Sequence, residues 1–129
     1  MTTVYIASKI AYAAKFSELR TEWMNHGLFI NSRWLDQAQY EDESTPNDFK
    51  LFWQVDHQDV MECDVLVLYG EKTDKLRGAL IEAGIALAFG KNVIVVGDSP
   101  DYGTWQYHPM VLQASSFEHA KTLIKRRFR

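Results

Sequence analysis

Between Gly78 and Gly90 the chain reads GALIEAGIALAFG, and Glu82 is the one residue there that is neither apolar nor glycine. A helix that is apolar all round is a buried helix, and an ionised carboxylate inside it is costly unless partners or water reach it. Two readings stand. Glu82 serves the helix N-terminus, where negative charge is favoured, or it is a carboxylate of tuned pKa that works as nucleophile or base. Asp56 raises the same question, because Phe49, Phe52, Asp56, Val60 and Cys63 recur at three- to four-residue steps and the acid interrupts an apolar stripe. Its plainer reading is a partly exposed carboxylate at the stripe's edge. Two such acids on elements flanking one strand can divide nucleophilic from acid/base work when their environments separate them. Asp64 is different: it heads a strand, as turn and cap residues do.

Other side chains with chemical potential lie near predicted strand ends. Ser8 and Lys9 follow the first strand and suit a sugar or phosphate contact, or are solvated loop residues. The segment ASKIAYAAK contains neither G-x-G-x-x-G nor a G-K-S/T loop, which argues against ordinary dinucleotide binding and P-loop chemistry. Trp34, Trp105 and Tyr107 are aromatics in loops or at strand ends, where they stack a nucleobase or pack a core or subunit interface. The four histidines lack H-E-x-x-H spacing, so no metal or other cofactor is expected; His108, in TWQYHP, is the one nearest a candidate site.

The elements that must position these residues follow from periodicity. TVYIA predicts a strand, AYAAKFSELRTEWMNHG a helix closed at Gly27, and LFINSRW a second strand. The acidic stretch over residues 36–48, with Pro46 as a breaker, predicts a surface loop or lid. Asp48 then caps a helix that leads into the strand DVLVLYG; GALIEAGIALAFG, NVIVVGD and MVLQA continue the alternation, and a last amphipathic helix starts at Ser115 or Ser116. Strands apolar on both faces, such as VLVLY and VIVV, imply a parallel sheet covered on both sides. The expectation is a flavodoxin-like or Rossmann-like α/β three-layer sandwich with strand order 2-1-3-4-5. Residues 1–129 form a single domain in this reading. Ligands of such sheets bind beyond the carboxyl ends of the strands, so the loops after Ala7, Trp34, Tyr69 and Gly97 should border the site.

Composition narrows the partners. A chain of 129 residues, 47% hydrophobic with net charge −3, has no basic stripe for nucleic acid apart from the C-terminal KRRFR, which suits the end of a helix. Its single cysteine, Cys63, forms no disulfide framework, and no apolar run approaches the ~20 residues of a membrane span. A soluble cytoplasmic protein is expected, with no membrane partner.

On these residues the chain resembles the nucleoside 2-deoxyribosyltransferase superfamily, which includes deoxynucleoside 5'-monophosphate N-glycosidases. The resemblance covers about residues 4 to 97 and rests on VYIASKI, DHQDVMECDVLVLY and GALIEAGIALAFGKNVIVV. The last is similar to the family pattern G-x-x-x-E-x-G-x-A-x-A-x-G-K, whose Glu is the nucleophile; Glu82 matches it, with Gly78, Gly84 and Gly90 in step. Asp56 stands eight residues before Asp64, the family spacing of its catalytic Asp, and Tyr5 falls where a sugar-side Tyr is common. The chain departs from the pattern at Ala79, at Leu76, where phosphate-binding members carry Ser, and in lacking their Gly-rich first loop.

The resemblance implies cleavage of the N-glycosidic bond of a nucleoside or nucleoside 5'-monophosphate, by hydrolysis or base transfer, without a cofactor. Glu82 and Asp56 would be catalytic, and Tyr5, Ser8, Lys9, Trp34, Gly78, Trp105 and His108 would bind substrate. Family sites are usually completed by a neighbouring subunit, so a homodimer or larger homo-oligomer is implied. Two alternatives stand beside this reading: a nucleotide-binding or sensing module without catalysis, and a glycohydrolase of a larger nucleotide such as NAD.

Overall fold

Five strands whose side chains are almost all buried organise the molecule. A computed structural model of the chain describes residues 1–37 and 44–128. Strand β1 (Thr2–Ala7), β2 (Leu28–Ile30), β3 (Val65–Gly70), β4 (Asn92–Gly97) and β5 (Val111–Ala114) form one parallel sheet in the order β2-β1-β3-β4-β5. This is the predicted order. Val4, Ile6, Val65, Leu66, Val67, Ile94 and their neighbours are buried, as a parallel sheet covered on both faces requires.

The helices are α1 (Ala13–Met24), the single turn α2 (Trp34–Gln37), α3 (Pro46–Glu62), α4 (Arg77–Ala88) and α5 (Phe117–Arg127). Helices α1 and α5 share one face: the rings of Phe16 and Phe117 meet edge to face at 5.5 Å, and Lys121 reaches Glu22. The sheet turns back at β1, so right-handed crossovers carry α3 and α4 to the opposite face. Tyr5 points to that face, where its hydroxyl meets Glu82 of α4. Alternation along β1 sends Val4 and Ile6 the other way.

Two boundaries differ from the sequence expectation. The second strand ends at Ile30 rather than running through Trp34, because side chains replace its backbone beside β1. Ser32 Oγ accepts the Ile6 N–H at 2.7 Å and Trp34 Nε1 donates to the Ile6 carbonyl at 2.7 Å, so the chain leaves the sheet early and opens space next to Tyr5. Helix α3 is capped by Thr45, not Asp48: Thr45 and Asp48 form a reciprocal capping box and Pro46 occupies the first turn, where its missing N–H costs nothing. Of the acidic loop expected over residues 36–48, residues 36–37 belong to α2 and 46–48 to α3, and residues 38–43 lie outside the described residues. The last helix has Ser116 as its cap, accepting from the His119 N–H at 3.0 Å, and carries Lys125, Arg126 and Arg127 in its final turn, complementing the dipole.

At the carboxyl ends of β3 and β4 the backbones converge. Gly97 has φ +93°, and a Cβ there would lie 2.0 Å from the Gly70 carbonyl oxygen, so only glycine fits. Beyond them Ser99 Oγ donates to the Asp74 carbonyl and the Asp101 carboxylate accepts the Leu76 N–H at 2.7 Å. The loop after β4 thus buttresses the start of α4.

Candidate active site

A cleft of about 700 Å³ opens above the carboxyl ends of β1 and β3. Its lining comes from three of the four loops expected to border a site: Ser8 to Ala11 after β1, Trp34 and Gln37 after β2, and Thr73 with Lys75 to Gly78 after β3. The loop after Gly97 supports this wall from behind instead of lining it. Helix α3 closes the opposite side with Phe49, Phe52, Trp53 and Asp56, and Glu82 lines the cleft from α4.

Glu82 is 6% exposed, in the second turn of a helix whose surroundings are otherwise apolar. Its Oε2 accepts a hydrogen bond from the hydroxyl of Tyr5, itself wholly buried. Desolvation raises the Glu82 carboxyl to about 8, the charge of Asp56 adds to the rise, and the Tyr5 hydrogen bond opposes it. Asp56 is raised to about 7 by desolvation, then by Asp59, with Arg33 pulling it down. Its Oδ1 is buried and has no hydrogen-bond partner among the described residues. Both carboxyls are thus held near neutrality, well above the usual carboxylate range. Hydrogen bonding separates them. Tyr5 donates to Glu82, a bond that favours its carboxylate against the rise, whereas among the described residues nothing donates to the buried Oδ1 of Asp56.

The remaining predicted residues divide. Ser8 lines the cleft with its hydroxyl donated to the Tyr69 carbonyl at 2.7 Å, and Lys9 lines it while paired with the buried Asp74 at 3.2 Å. Trp34 presents its ring to the cleft, its indole N–H tied to β1. Gly78 lies against Trp53: a Cβ there would sit 3.2 Å from Trp53 Cζ2, so glycine lets the indole close on the start of α4. Trp105 and His108 are not brought to this cleft. Trp105 packs edge to face on Tyr102 and donates to the Asp101 carbonyl, and exposed His108 turns Nδ1 to its own loop, accepting the Met110 N–H at 2.9 Å. Asp64 is a strand-end residue, its Oδ2 accepting the Thr3 N–H at 2.8 Å.

Sequence reasoning missed two features. The apolar stripe on α3 faces a cavity over its first half: Phe49, 38% exposed, lines the cleft with Phe52 and the adjacent Trp53, 39% exposed, and of the stripe only the later Val60 and Cys63 are buried. Helical spacing marks a face and cannot say whether core or cavity lies opposite. The second is Asp59, whose position three residues after Asp56 was the available signal. It is 2% exposed and paired with Arg33. Among the described residues no three His, Cys, Asp or Glu side chains gather in a way that could hold a metal ion. No described helix is long and apolar enough to cross a membrane.

No family model and no curated protein matches the chain. Among solved structures it is similar to the CMP N-glycosidase BcmB of Clostridium botulinum, with a TM-score of 0.61 and 16% identity over 97% of this chain and 99% of that one. The fold is thus the α/β sandwich anticipated from the sequence, a single domain on a five-stranded parallel sheet, and that N-glycosidase shares it.

Proposed function

We propose that the protein cleaves the N-glycosidic bond of a nucleoside or nucleoside 5'-monophosphate. The observation that carries this reading is the buried Glu82 carboxylate, hydrogen-bonded by Tyr5 and facing the same cleft as Asp56. The likeness of the fold to a CMP N-glycosidase supports a nucleotide as the ligand. In the first step a Glu82 oxygen attacks the anomeric carbon, the bond to the base nitrogen breaks, and Asp56 delivers its proton to the departing base. The transition state has oxocarbenium character, and the Glu82 carboxylate facing it stabilises the developing positive charge. In the second step Asp56, now ionised, takes a proton from water as its oxygen displaces Glu82 from the glycosyl ester.

The lining suits both halves of such a substrate. Phe49, Phe52, Trp34 and Trp53 offer faces for a base, and Ser8 with Glu82 offers polar contacts for a sugar. Lys9, Lys75 and Arg77 at the rim favour the 5'-monophosphate over the nucleoside. Apolar side chains exposed on α3 and α4, among them Leu51, Met61 and Ile81, with Phe89 just after α4, favour a homo-oligomer built on that face. Chromatography of nucleosides, monophosphates and NAD incubated with the protein, with and without a free acceptor base, tests the reading. Release of free base from a monophosphate supports it, and no release from any of them counts against it.

A further inference from the structure

Asp59 is a third acid beside the cleft, and the proposed reaction gives it no task. It lies one turn beyond Asp56 on α3 and its carboxylate is almost wholly removed from water. Arg33 holds it from the loop after β2: Nε donates to Oδ1 at 2.9 Å, Nη2 stands 2.8 Å from the same oxygen, and the Arg33 N–H donates to Oδ2 at 3.0 Å. Asn31 Nδ2 adds a bond to the Asp59 carbonyl at 2.9 Å. The Asp59 carboxylate is thus matched to the Arg33 guanidinium by charge and geometry, and side chains three apart on a helix are neighbours. Asp56 therefore has a fixed negative charge on its own helix and, one shell further out, a fixed positive charge. Glu82 faces it from α4, with Tyr5 of β1 behind Glu82, and Lys9, Lys75 and Arg77 stand on the other walls of the cleft. His57, next to it on α3, is exposed, its ring 6.1 Å from that of Phe89.

We propose that the Arg33–Asp59 ion pair is the positioning element that sets the charge of Asp56. Asp59 disfavours ionisation of its neighbour, so Asp56 meets the substrate as an acid, and Arg33 offsets enough of that charge for Asp56 to give its proton up. The inference rests on reading Asp56 as the acid/base group. Neither Arg33 nor Asp59 touches the reacting atoms. Their effect is electrostatic, and the two must act in opposite directions.

That opposition is the test. Carboxyl carbon-13 NMR of aspartate-labelled protein follows the Asp56 titration without substrate, and the pH dependence of kcat follows it in turnover. Asp59→Asn should lower the Asp56 midpoint by about one pH unit or more, and Arg33→Met should raise it by a similar amount. Arg33→Lys, which keeps the charge, should stay near the parent value, and the double variant should return toward it. A merely structural pair would give variants that lose melting temperature together with no opposed displacement. If Asp59→Asn does not fold, Arg33→Met and Arg33→Lys still decide, because Arg33 is half exposed. A folded Arg33→Met protein whose Asp56 midpoint is unmoved, or moves down, overturns the proposal. Opposed displacements in a protein that releases no base would support the pair's control of Asp56 while refuting the glycosidase reading.

Discussion

Replacing Glu82 by Gln should stabilise the protein, and by an amount that grows with pH. The folded-state carboxyl titrates at about 8 against 4.5 for an unhindered glutamate, chiefly because burial disfavours its charge. Below about pH 4.5 folded and unfolded chains both carry it neutral, and the group costs the fold nothing. Between 4.5 and about 8 the unfolded chain ionises first, so stability drains as pH rises, by at most ~1.4 kcal/mol per unit. Across that window the ceiling is ~5 kcal/mol, and coupling to Asp56 brings the realised loss below it. Glutamine is neutral throughout, nearly isosteric, and keeps a carbonyl oxygen for the Tyr5 hydroxyl. Parent and Glu82→Gln proteins should thus melt together near pH 4.5 and separate toward pH 8, each kcal/mol being worth roughly 4 °C for a domain of this size. Thermal and urea denaturation at half-unit pH steps measures the divergence. A constant offset across the range, or a variant less stable than the parent at pH 8, would refute the reasoning that the carboxylate is held against its own solvation.

Further expectations concern the neighbours of Glu82. Asp56→Asn should slow base release by about 10²–10⁴-fold and should matter least for substrates with activated leaving groups, as kcat across a leaving-group series would reveal. Tyr5→Phe removes the donor that lowers the Glu82 titration, so the acidic limb of the pH–rate profile should move to higher pH; an unmoved limb would contradict the hydrogen bond's role. Gly78→Ala would press a methyl against the Trp53 ring, displacing the indole and raising KM more than it lowers kcat. Sedimentation should find an oligomer at micromolar concentration, and a stable monomer would count against an interface on the exposed residues of α3 and α4.

The sheet was legible because VLVLY and VIVV are apolar at every position, a pattern that only strands buried on both faces tolerate, and the alternation with helices then fixed a doubly covered order. Glu82 and Asp56 were legible as exceptions to apolar patterns, and both line the cleft. What escaped were features made by side chains reaching across the fold. Ser32 and Trp34 end β2 by bonding to Ile6, and Asp101 braces Leu76 from a loop that was expected to line the site. Thr45, Pro46 and Asp48 spell a helix start in the sequence, yet a proline reads equally as a breaker until the capping box is seen. Trp105 and His108 have residue types suited to a nucleobase, but local packing on Tyr102 and Met110 decides their orientation.

The measurement closest to the central claim is single-turnover cleavage by the Glu82→Gln protein, on whichever substrate the parent cleaves fastest. Because the substitution should leave the fold intact or firmer, any loss is a loss of chemistry rather than of folded protein. Deleting a nucleophile removes the covalent route, so the rate should fall by several orders of magnitude while substrate still binds. A folded Glu82→Gln protein that cleaves at a rate near the parent's would contradict the account.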